Sequence, residues 1–412
     1  MLTGTNLKYA RAHNLRIVLE TIRLFGPLSR KEITERTELG LQTVSNITRK
    51  LLDADLILEA DRLQEGRGAP TSLLNLNAQG AFSIGLDFDR EHFTGVLVDF
   101  LGNVCQRVSH SVLFPMPENA MTLMADSVNK LIQCQGASRK RIWGVGVGLP
   151  GPLGISEGSV VTNVVNPSAF PGWDNVPIAD ILAERLGLPV FIENNASAAA
   201  VGERWYGRGK HIRDFFYLFF GVGLGGGLVL NGRPYDGHNG NAGEIGAIPT
   251  SSGRHLPTGL VNPHLGVFFS LPVLAKLLER EDVNISHPEE LGDLFERKHE
   301  VVMDWLEEGI AQLAPFTLAI ECLIDPGAIF LGGRYPGPVI RYIKDRLDGV
   351  LPTLRFEEKM AHPQLYCATA GKDATALGVA TLPMYSSFAP IPEVLMKRPS
   401  NGSNESFISL NI

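Results

Sequence analysis

Hydrophobic positions near the start of the chain recur at helical spacing and are interrupted by turn residues. Asn14–Phe25 has an apolar stripe that stops at Gly26-Pro27, which predicts a first helix. Ser29, with Glu32 three residues later, forms a capping-box pattern that predicts a short second helix ending at Thr37. The chain therefore opens with two consecutive helices.

A third helix is predicted over Thr43–Asp53, after a tight turn at Leu39-Gly40. Its apolar residues form one stripe, made of Val44, Ile47, Leu51 and Leu52. A short helix, a glycine-containing turn and a second helix with polar residues at its start are typical of a helix-turn-helix. In that motif the second helix enters the major groove of DNA.

Two short strands, Leu56–Ala60 and Ser72–Leu76, are predicted on either side of the turn-rich segment 61–70. They form a β-hairpin wing, and its Gly-Arg-Gly tip, which carries Arg67, suits insertion into a narrow minor groove. The alternative is a small helical domain that contacts protein and has a solvated loop. The candidate DNA-binding residues are Ser29, Arg30, Gln42, Thr43, Ser45, Asn46, Arg49 and Arg67.

From residue 78 onward, short apolar runs typical of strands alternate with helical segments. Strand hairpins followed by strand–helix alternation occur twice, which predicts two related α/β lobes with a cleft between them. The predicted strands are Phe82–Asp87, Phe93–Asp99, Val104–Val112, Arg141–Leu149, Phe215–Phe220, Leu228–Leu230 and Ala328–Leu331, and the predicted helices are Ile178–Leu186 and Met303–Leu323.

The segment Val190–Glu203 joins a buried strand, three polar residues and a helix of small residues. Ligands of open α/β sheets bind beyond the carboxyl ends of the strands, so Asn194 and Asn195 are predicted to lie at a cleft. Their carboxamides can donate and accept hydrogen bonds, as sugar hydroxyls require, but an amide cannot act as a general base. The alternative is a plain helix cap at one of the two asparagines.

Charge is distributed unevenly along the chain. The net charge is −7, yet residues 1–75 contain 11 lysines and arginines and 9 aspartates and glutamates. A mildly basic head on an acidic body suggests two separate functions. The four cysteines have no metal-ligand spacing, and no apolar run reaches the roughly 18–20 residues of a membrane span. Since the first residues lack a signal-peptide pattern, a cytoplasmic protein is expected.

Five segments spread over residues 10–385 belong together. They are SRKEITERTELGLQTVSNITRKLLDADLI with the GRGAP segment, GVGVGLPGPLG, VFIENNASAAAVGE, FFGVGLGGGLVLNGRPYDGHNGNAGEIGA and IFLGG. In this combination they resemble the ROK family of repressors and sugar kinases. The resemblance implies an α/β, actin-like (ribonuclease H-like) two-lobed ATPase fold with an N-terminal winged helix-turn-helix. It implies a DNA-binding domain over residues 1–77, a sugar-binding domain over 78–385 and a flexible tail over 386–412.

The departures from the family's kinases concern the groups that transfer phosphate. Those kinases have an Asp that deprotonates the attacking hydroxyl, and this chain has Asn195 at the matching position. The first phosphate loop reads DFDRE (87–91), without glycine and with added carboxylates that would repel phosphate. Val222 replaces a threonine in the second loop, and Ala247 replaces a histidine that contacts sugar and zinc. No catalytic residue, metal or cofactor is therefore expected.

The resemblance implies that the sugar side of the cleft is retained, because Asn194, Asn195 and Glu244 match positions that hydrogen-bond sugar hydroxyls. The candidate sugar-binding residues are Asn194, Asn195, Glu244, Asn163 and Asn166. The family's zinc cysteines are absent from residues 251–262. His255 and His264 are therefore interpreted as surface or packed histidines rather than as metal ligands.

The resemblance implies a sugar-responsive transcriptional regulator, a repressor, whose kinase-like domain binds a carbohydrate without phosphorylating it. The expected partners are operator DNA, a carbohydrate effector and further copies of the chain in a homodimer or homotetramer, with no membrane partner. Paired heads would read two half-sites of an operator. The alternatives are an active ATP-dependent sugar kinase with a DNA-binding head, and a binding module whose head docks another protein.

Overall fold

The computed structural model describes most of the chain, namely residues 7–63, 71–112, 116–151, 153–154, 164–165, 173, 176–250, 253–254, 256, 263–355 and 361–388. Arg67, Asn163, Asn166 and His255 lie outside these residues, as do positions 389–412 of the predicted tail. None of the described helices combines the length and apolarity of a membrane span.

The three predicted N-terminal helices are confirmed as α1 (Leu7–Phe25), α2 (Arg30–Thr37) and α3 (Leu41–Asp53). The predicted capping box at the start of α2 is also confirmed. The Ser29 hydroxyl accepts a hydrogen bond from the Glu32 N–H, and the Glu32 carboxylate accepts one from the Ser29 N–H. The left-handed residue of the turn is Glu38, with φ 56°, while Gly40 is the N-cap of α3.

The predicted wing strands pair antiparallel as β1 (Ile57–Leu63) and β2 (Thr71–Leu76). A bridge between Leu28 and Leu74 joins the segment before α2 to β2. The wing tip at 64–70 lies outside the described residues. Three helices followed by a two-stranded hairpin form the winged arrangement that the sequence predicts.

The first lobe contains a five-stranded sheet covered by helices. Its elements are β3 (Phe82–Phe88), β4 (His92–Asp99), β5 (Val104–Ser111), α4 (Pro117–Gln135), β6 (Ile142–Leu149), β7 (Leu153–Gly154), β8 (Val164–Val165), α5 (Ile178–Leu186), β9 (Val190–Asn194) and α6 (Asn195–Tyr206). The strand order is β5-β4-β3-β6-β9, with β3, β4 and β5 antiparallel and β3, β6 and β9 parallel. The short strands β7 and β8 form a separate hairpin.

The second lobe repeats the arrangement of the first. Its elements are β10 (Phe215–Phe220), β11 (Leu224–Leu230), β12 (Arg233–Pro234), α7 (Leu271–Leu278), α8 (Leu291–Glu296), α9 (Glu300–Ile324), β13 (Ala328–Gly333), α10 (Gly337–Leu354), β14 (Gln364–Cys367) and α11 (Ala374–Phe388). The order β12-β11-β10-β13-β14 has the same parallel and antiparallel neighbours. This duplication confirms the two related lobes. The predicted strand Leu228–Leu230 begins earlier, at Leu224, because Gly225, Gly226 and Gly227 lie within β11.

Helices α6 and α11 lie between the two sheets and touch each other closely. A Cβ on Gly378 of α11 would collide with the carbonyl oxygen of Ala198 in α6. Likewise, a Cβ on Gly85 of β3 or Gly146 of β6 would collide with the α11 backbone at Ala376 or Val379. Only glycine permits backbones to approach so closely, so these positions determine the spacing between α11, α6 and the first sheet.

The helical head shares one hydrophobic core with the first lobe. Buried head residues such as Leu19 and Val44 belong to the same cluster as Phe100 of the first lobe and Met384 of α11. Arg16 of α1, 2% exposed, donates through Nη1 to the Ser386 carbonyl at 3.0 Å. Helix α11 thus continues through Phe388, and the first three residues of the predicted tail are helical.

We predict that Gly378→Ala destabilises the protein more than Gly349→Ala does. Both glycines are helical, but a Cβ on Gly349 meets nothing within 4 Å, so that substitution gains only helix propensity. Overpacking at Gly378 should cost about 1–3 kcal/mol or more. Thermal unfolding of the two variants measures the difference, and equal melting temperatures would contradict the close packing of α6 against α11.

Candidate functional site

The junction between β9 and α6 places Asn194 at the N-cap of α6. Its Oδ1 accepts a hydrogen bond from the Ala196 N–H at 2.8 Å, and its Nδ2 donates to Glu244 Oε1 at 3.0 Å. The predicted alternative of a helix cap at Asn194 is therefore confirmed, and the sugar-binding role of the same side chain stays a prediction.

Gly151 lies beside the Asn194–Glu244 pair, two residues after strand β6. A Cβ at this position would collide with Asn194 Nδ2 and come within 2.5 Å of Glu244 Oε1. Glu244 itself is half-buried, and burial raises the pKa of its carboxyl. Residues from the segment after β6, from the end of β9 and from the loop before residue 245 therefore lie together at one polar cleft.

Asn195 is the first residue of α6 and is only 5% exposed. Its backbone carbonyl accepts a hydrogen bond from the Thr375 hydroxyl at 3.2 Å, which ties α6 to the start of α11. Among the described residues, its side-chain Oδ1 has no hydrogen-bond partner. That oxygen faces the end of β6, because a Cβ on Gly148 would lie 3.0 Å from it. It is a buried acceptor without a donor, at the strand ends.

Two carboxyl groups of the cleft were missed by the sequence analysis. Glu193 accepts the Asn194 N–H through Oε1 at 2.8 Å. Burial and the neighbouring charge of Asp236 raise the pKa of Glu193 to about 8, against the lowering effect of the Asn194 N–H. Burial also raises the pKa of Asp236. In the sequence, only the position of Glu193 beside Asn194 pointed to this residue. The proximity of Asp236 to Glu193 arises from the fold and has no signal in the sequence.

In the predicted first phosphate loop, the acidic side chains contact neighbouring groups of the same segment. The Asp87 carboxylate is 3% exposed and lies 3.0 Å from His92 Nε2. Burial lowers the pKa of His92, but the Asp87 carboxylate outweighs this effect and the net shift is upward. Asp89 is also buried, and its Oδ1 accepts the Arg90 N–H at 2.7 Å. A loop of this kind presents carboxylates where a phosphate-binding turn would present N–H groups.

This loop also touches the second lobe. Glu91 Oε2 lies 3.9 Å from His287 Nδ1. Burial and the charge of Asp89 raise the pKa of Glu91, while His287 and Arg334 oppose that shift. Arg334, which follows β13, directs its Nη2 at both oxygens of Glu289, at 3.1 and 3.2 Å. Side chains of the two lobes therefore meet at the predicted first phosphate loop.

The second predicted phosphate loop is a tight turn with an apolar centre. The Gly221 N–H donates to the Gly223 carbonyl at 2.9 Å. Val222 is 4% exposed, and its carbonyl accepts from Leu271 N–H at 2.9 Å. The side chain that replaces a hydroxyl therefore packs into the core.

The candidate DNA-binding residues separate into an exposed group and an engaged group. On α3, the exposed residues are Gln42, Thr43, Asn46 and Arg49, and Ser45 is half-buried. Ser29 is buried in its capping box, and Arg30 bonds Thr48 Oγ1 at 3.2 Å and approaches Glu59 at 3.5 Å. The exposed candidates therefore lie on the polar face of α3, where Gln42 Nε2 donates to Asn46 Oδ1 at 3.2 Å.

His264 contacts the backbone through one of its two ring nitrogens. Its Nδ1 lies 2.8 Å from the Gly246 carbonyl oxygen. Within the part of the chain that the structure describes, no group of three or more histidine, cysteine or carboxylate side chains is arranged to hold a metal ion. The second candidate, His255, lies outside that part.

Two lobes of identical topology, with polar strand ends above a helix pair, define the actin-like class of ATPase folds. Residues 83–384 match the ROK family, to which this chain belongs. The chain is 31% identical to the xylose repressor of Caldicellulosiruptor bescii, over 57% of each chain. It is 28% identical to the xylose repressor of Bacillus spizizenii, over 58% of this chain and 60% of that protein. The chain thus spans less than two thirds of these relatives' length.

A solved structure has the same fold over almost the whole chain. It is that of a ROK family transcriptional regulator described as a homologue of the E. coli MLC protein, with a TM-score of 0.71 and 22% identity. The match covers 92% of this chain and 97% of that one, so it includes the head as well as both lobes.

We predict that the stability difference between the wild type and Glu193→Gln depends on pH. The pKa of Glu193 in the folded protein is about 8, above its ordinary value of 4.5. The folded state therefore retains a proton that the unfolded state loses, so the wild type loses stability between these two values. From pH 5 to pH 8.5 the variant should gain several degrees in melting temperature relative to the wild type.

Glu296→Gln, which changes an exposed carboxylate on α8, is the matched control and should show no such trend. A difference for Glu193→Gln that stays constant over this pH range would contradict the enclosed carboxyl.

Proposed function

We propose that the protein is a sugar-responsive, DNA-binding transcriptional repressor whose kinase-like cleft binds a carbohydrate without phosphorylating it. The observation that carries the proposal is the shared core of a winged helix-turn-helix head and a ROK body. Two relatives that are named xylose repressors support it. The combination joins a DNA-reading element to a sugar-binding cleft in one packed unit.

The cleft supports binding rather than phosphoryl transfer. Asn195 has an amide at the position where the family's kinases have a carboxylate base, and an amide cannot accept the proton of an attacking hydroxyl. Asp89 and Glu91 add negative charge beside the place of the phosphates, and Arg334 is already paired with Glu289. The added negative charge and the pairing of Arg334 disfavour the binding of ATP as well as phosphoryl transfer.

Helix α11 offers a direct mechanical connection between cleft and head. At its start, Thr375 bonds the Asn195 carbonyl, and at its end Ser386 accepts a hydrogen bond from Arg16 of α1. A sugar that changes the spacing of the lobes would displace α11 and, through α1, the head. The sugar must bind the two arrangements with different affinity for this to act as a switch. In a homodimer or homotetramer, the displacement would change the separation of two heads on operator half-sites.

We predict that Asn46→Ala and Arg49→Ala each weaken operator binding by about tenfold or more, because exposed amide and guanidinium groups on α3 read base edges or phosphates. Fluorescence anisotropy at fixed, near-physiological salt measures this on DNA from upstream of the protein's own and neighbouring genes. Arg233→Ala, an exposed arginine in the second lobe, is the control and should bind normally. Unchanged, salt-insensitive affinity in the α3 variants would favour a head that docks protein.

We predict that Asn194→Asp and Glu244→Gln weaken the sugar response while operator binding persists. An aspartate at position 194 still accepts the hydrogen bond of the Ala196 N–H, but it cannot donate one to Glu244. The change therefore affects the cleft and leaves the N-cap of α6 in place. The measurement is the sugar concentration that releases half of the bound DNA. It should rise at least about tenfold, since a hydrogen bond to a charged group is lost.

A normal sugar response in both variants would contradict the cleft assignment. The kinase alternative rests on the retained two-lobed fold, and it has a separate test in a coupled assay. Sugar-dependent consumption of ATP that disappears in Asn195→Ala would favour the kinase.

A further inference from the structure

Helix α6 follows the first lobe in the chain but packs on the sheet of the second lobe. A Cβ on Gly227 of β11 would lie 2.6 Å from the Ala196 carbonyl oxygen and 2.7 Å from Ala200 Cβ. The buried alanines of α6 share one apolar cluster with residues of the second lobe, among them Phe215, Tyr217, Val229 and Phe330. Because backbone and small side chains make this contact, we expect α6 to follow the second lobe when the lobes move.

Helix α11 has the opposite attachment, because it follows the second lobe in the chain and packs on the first sheet. Its residues Ala376, Ala380 and Met384 belong to the cluster that joins the first lobe to the head. Near its end, the Ser386 carbonyl accepts a hydrogen bond from Arg16 of α1. The head is therefore attached to the first lobe and to the helix that covers it.

The end of α6 meets the head at Trp205. The Arg23 guanidinium of α1 lies over the indole ring, with Cζ 4.2 Å from the ring centroid. The same guanidinium forms two hydrogen bonds with Glu20, at 2.6 and 2.7 Å, which fix its orientation. On another side, the indole packs edge-on against Tyr385 of α11, with 6.4 Å between the ring centroids. Three helices, from the head, from the first-lobe layer and from the second-lobe layer, therefore meet at this ring.

The contact at Trp205 differs in kind from the contact between α6 and α11. The latter is made by backbones at glycine, whereas Arg23 and Trp205 meet through side chains. The attraction between a guanidinium and an indole depends on the cation lying over the ring, so a displaced ring changes it directly. The head therefore contacts the second-lobe layer through an interaction that is sensitive to position.

We propose that Trp205 is a positioning residue through which the second lobe acts on the DNA-binding head. This inference rests on the proposed function and specifies how its cleft communicates with its head. A tilt between the lobes is a tilt of α6 against α11 about their glycine contacts, and it moves Asn195 at one end of α6 and Trp205 at the other. Trp205 then shifts against Arg23, while α11 and the shared core hold the rest of the head. The resulting tilt of α1 changes the orientation of α3 on the operator.

The test compares operator binding of the full chain with and without sugar, for the wild type and for variants of this contact. The sugars are xylose, glucose, N-acetylglucosamine and galactose, each at a concentration that isothermal titration calorimetry shows to be saturating. In the wild type, one of them should lower operator affinity by about tenfold or more. Trp205→Ala should reduce this change to about twofold, with the calorimetric affinity for the sugar unaltered. Trp205→Phe should retain most of the response, because a phenyl ring also attracts a guanidinium.

Trp143→Ala is the matched control. Trp143 on β6 is half-buried like Trp205, packs edge-on against Phe100 with 5.2 Å between ring centroids, and contacts the same shared core. It belongs to the first lobe, so its loss should lower the melting temperature but leave the sugar response intact. Arg23→Met removes the charge and keeps an apolar stem. It should match Trp205→Ala, and the double variant should lose no more response than either single variant.

A second measurement requires no sugar. By reciprocity, operator DNA favours one arrangement of α1 against α6, so it should change the tryptophan fluorescence of the wild type. That change should be largely absent from Trp205→Phe. The same change in both proteins would contradict a movement of Trp205 that is linked to the head.

The other outcomes separate the inference from the proposed function. A full sugar response in Trp205→Ala would overturn the inference and leave the proposed function standing. An equal loss of response in Trp143→Ala would do the same, because the shared core as a whole would then transmit the signal. Loss of sugar binding in Trp205→Ala would place its effect in the cleft and remove its positioning role. If no sugar of the panel alters operator binding by the wild type, the proposed sugar response fails, and the inference fails with it.

Discussion

The contact between α6 and α11 is the constraint on which the rest of the structure depends. These helices are the layer between the two sheets, and glycines let their backbones touch each other and the first sheet. The backbones of α6 and α11 touch directly at glycine, so no side chain at these contacts can rearrange. We therefore expect the two helices to move as rigid elements. The first residue of α6 belongs to the cleft, and the end of α11 belongs to the head. The packing of α6 against α11 therefore positions both the cleft and the head.

The polar side chains near the strand ends form two groups with different partners. Asn194 and Glu244 hydrogen-bond each other at 3.0 Å. Buried Asp87 lies 3.0 Å from His92, and Glu91 lies 3.9 Å from His287 of the second lobe. Under the proposed function the first group would bind the hydroxyls of a sugar, and the carboxylates of the second group would disfavour the phosphates of a nucleotide.

The sequence predicted elements that caps, turns or strand-length apolar runs delimit, and it missed several amphipathic helices of the two lobes, among them α4 and α10. Helices α2 and α5 and strand β10 have the predicted bounds, because caps, turns or strand-length apolar runs delimit them. Helix α11 was not predicted, because neighbours on several sides leave it without a polar face. Strand β11 begins at Leu224 rather than at the predicted Leu228, and the contact with α6 requires glycine in that strand at Gly227. Asn194 and Glu244 were predicted from sequence motifs. The proximity of Glu193 to Asp236 depends instead on the course of the loop that carries Asp236, which no local sequence pattern indicates.

The shared core of head and first lobe has a consequence for how such a protein can be divided. Val96, Val98 and Phe100 of the first lobe are buried in the same cluster as the helices of the head. Cutting the chain after residue 77 would expose this apolar surface, and a head taken from another regulator would have to reproduce its shape. The head is consequently not an exchangeable module. Under the proposed function its sequence must fit both the operator and the body, so only residues on the exposed face of α3 could change the operator specificity without disturbing the shared core.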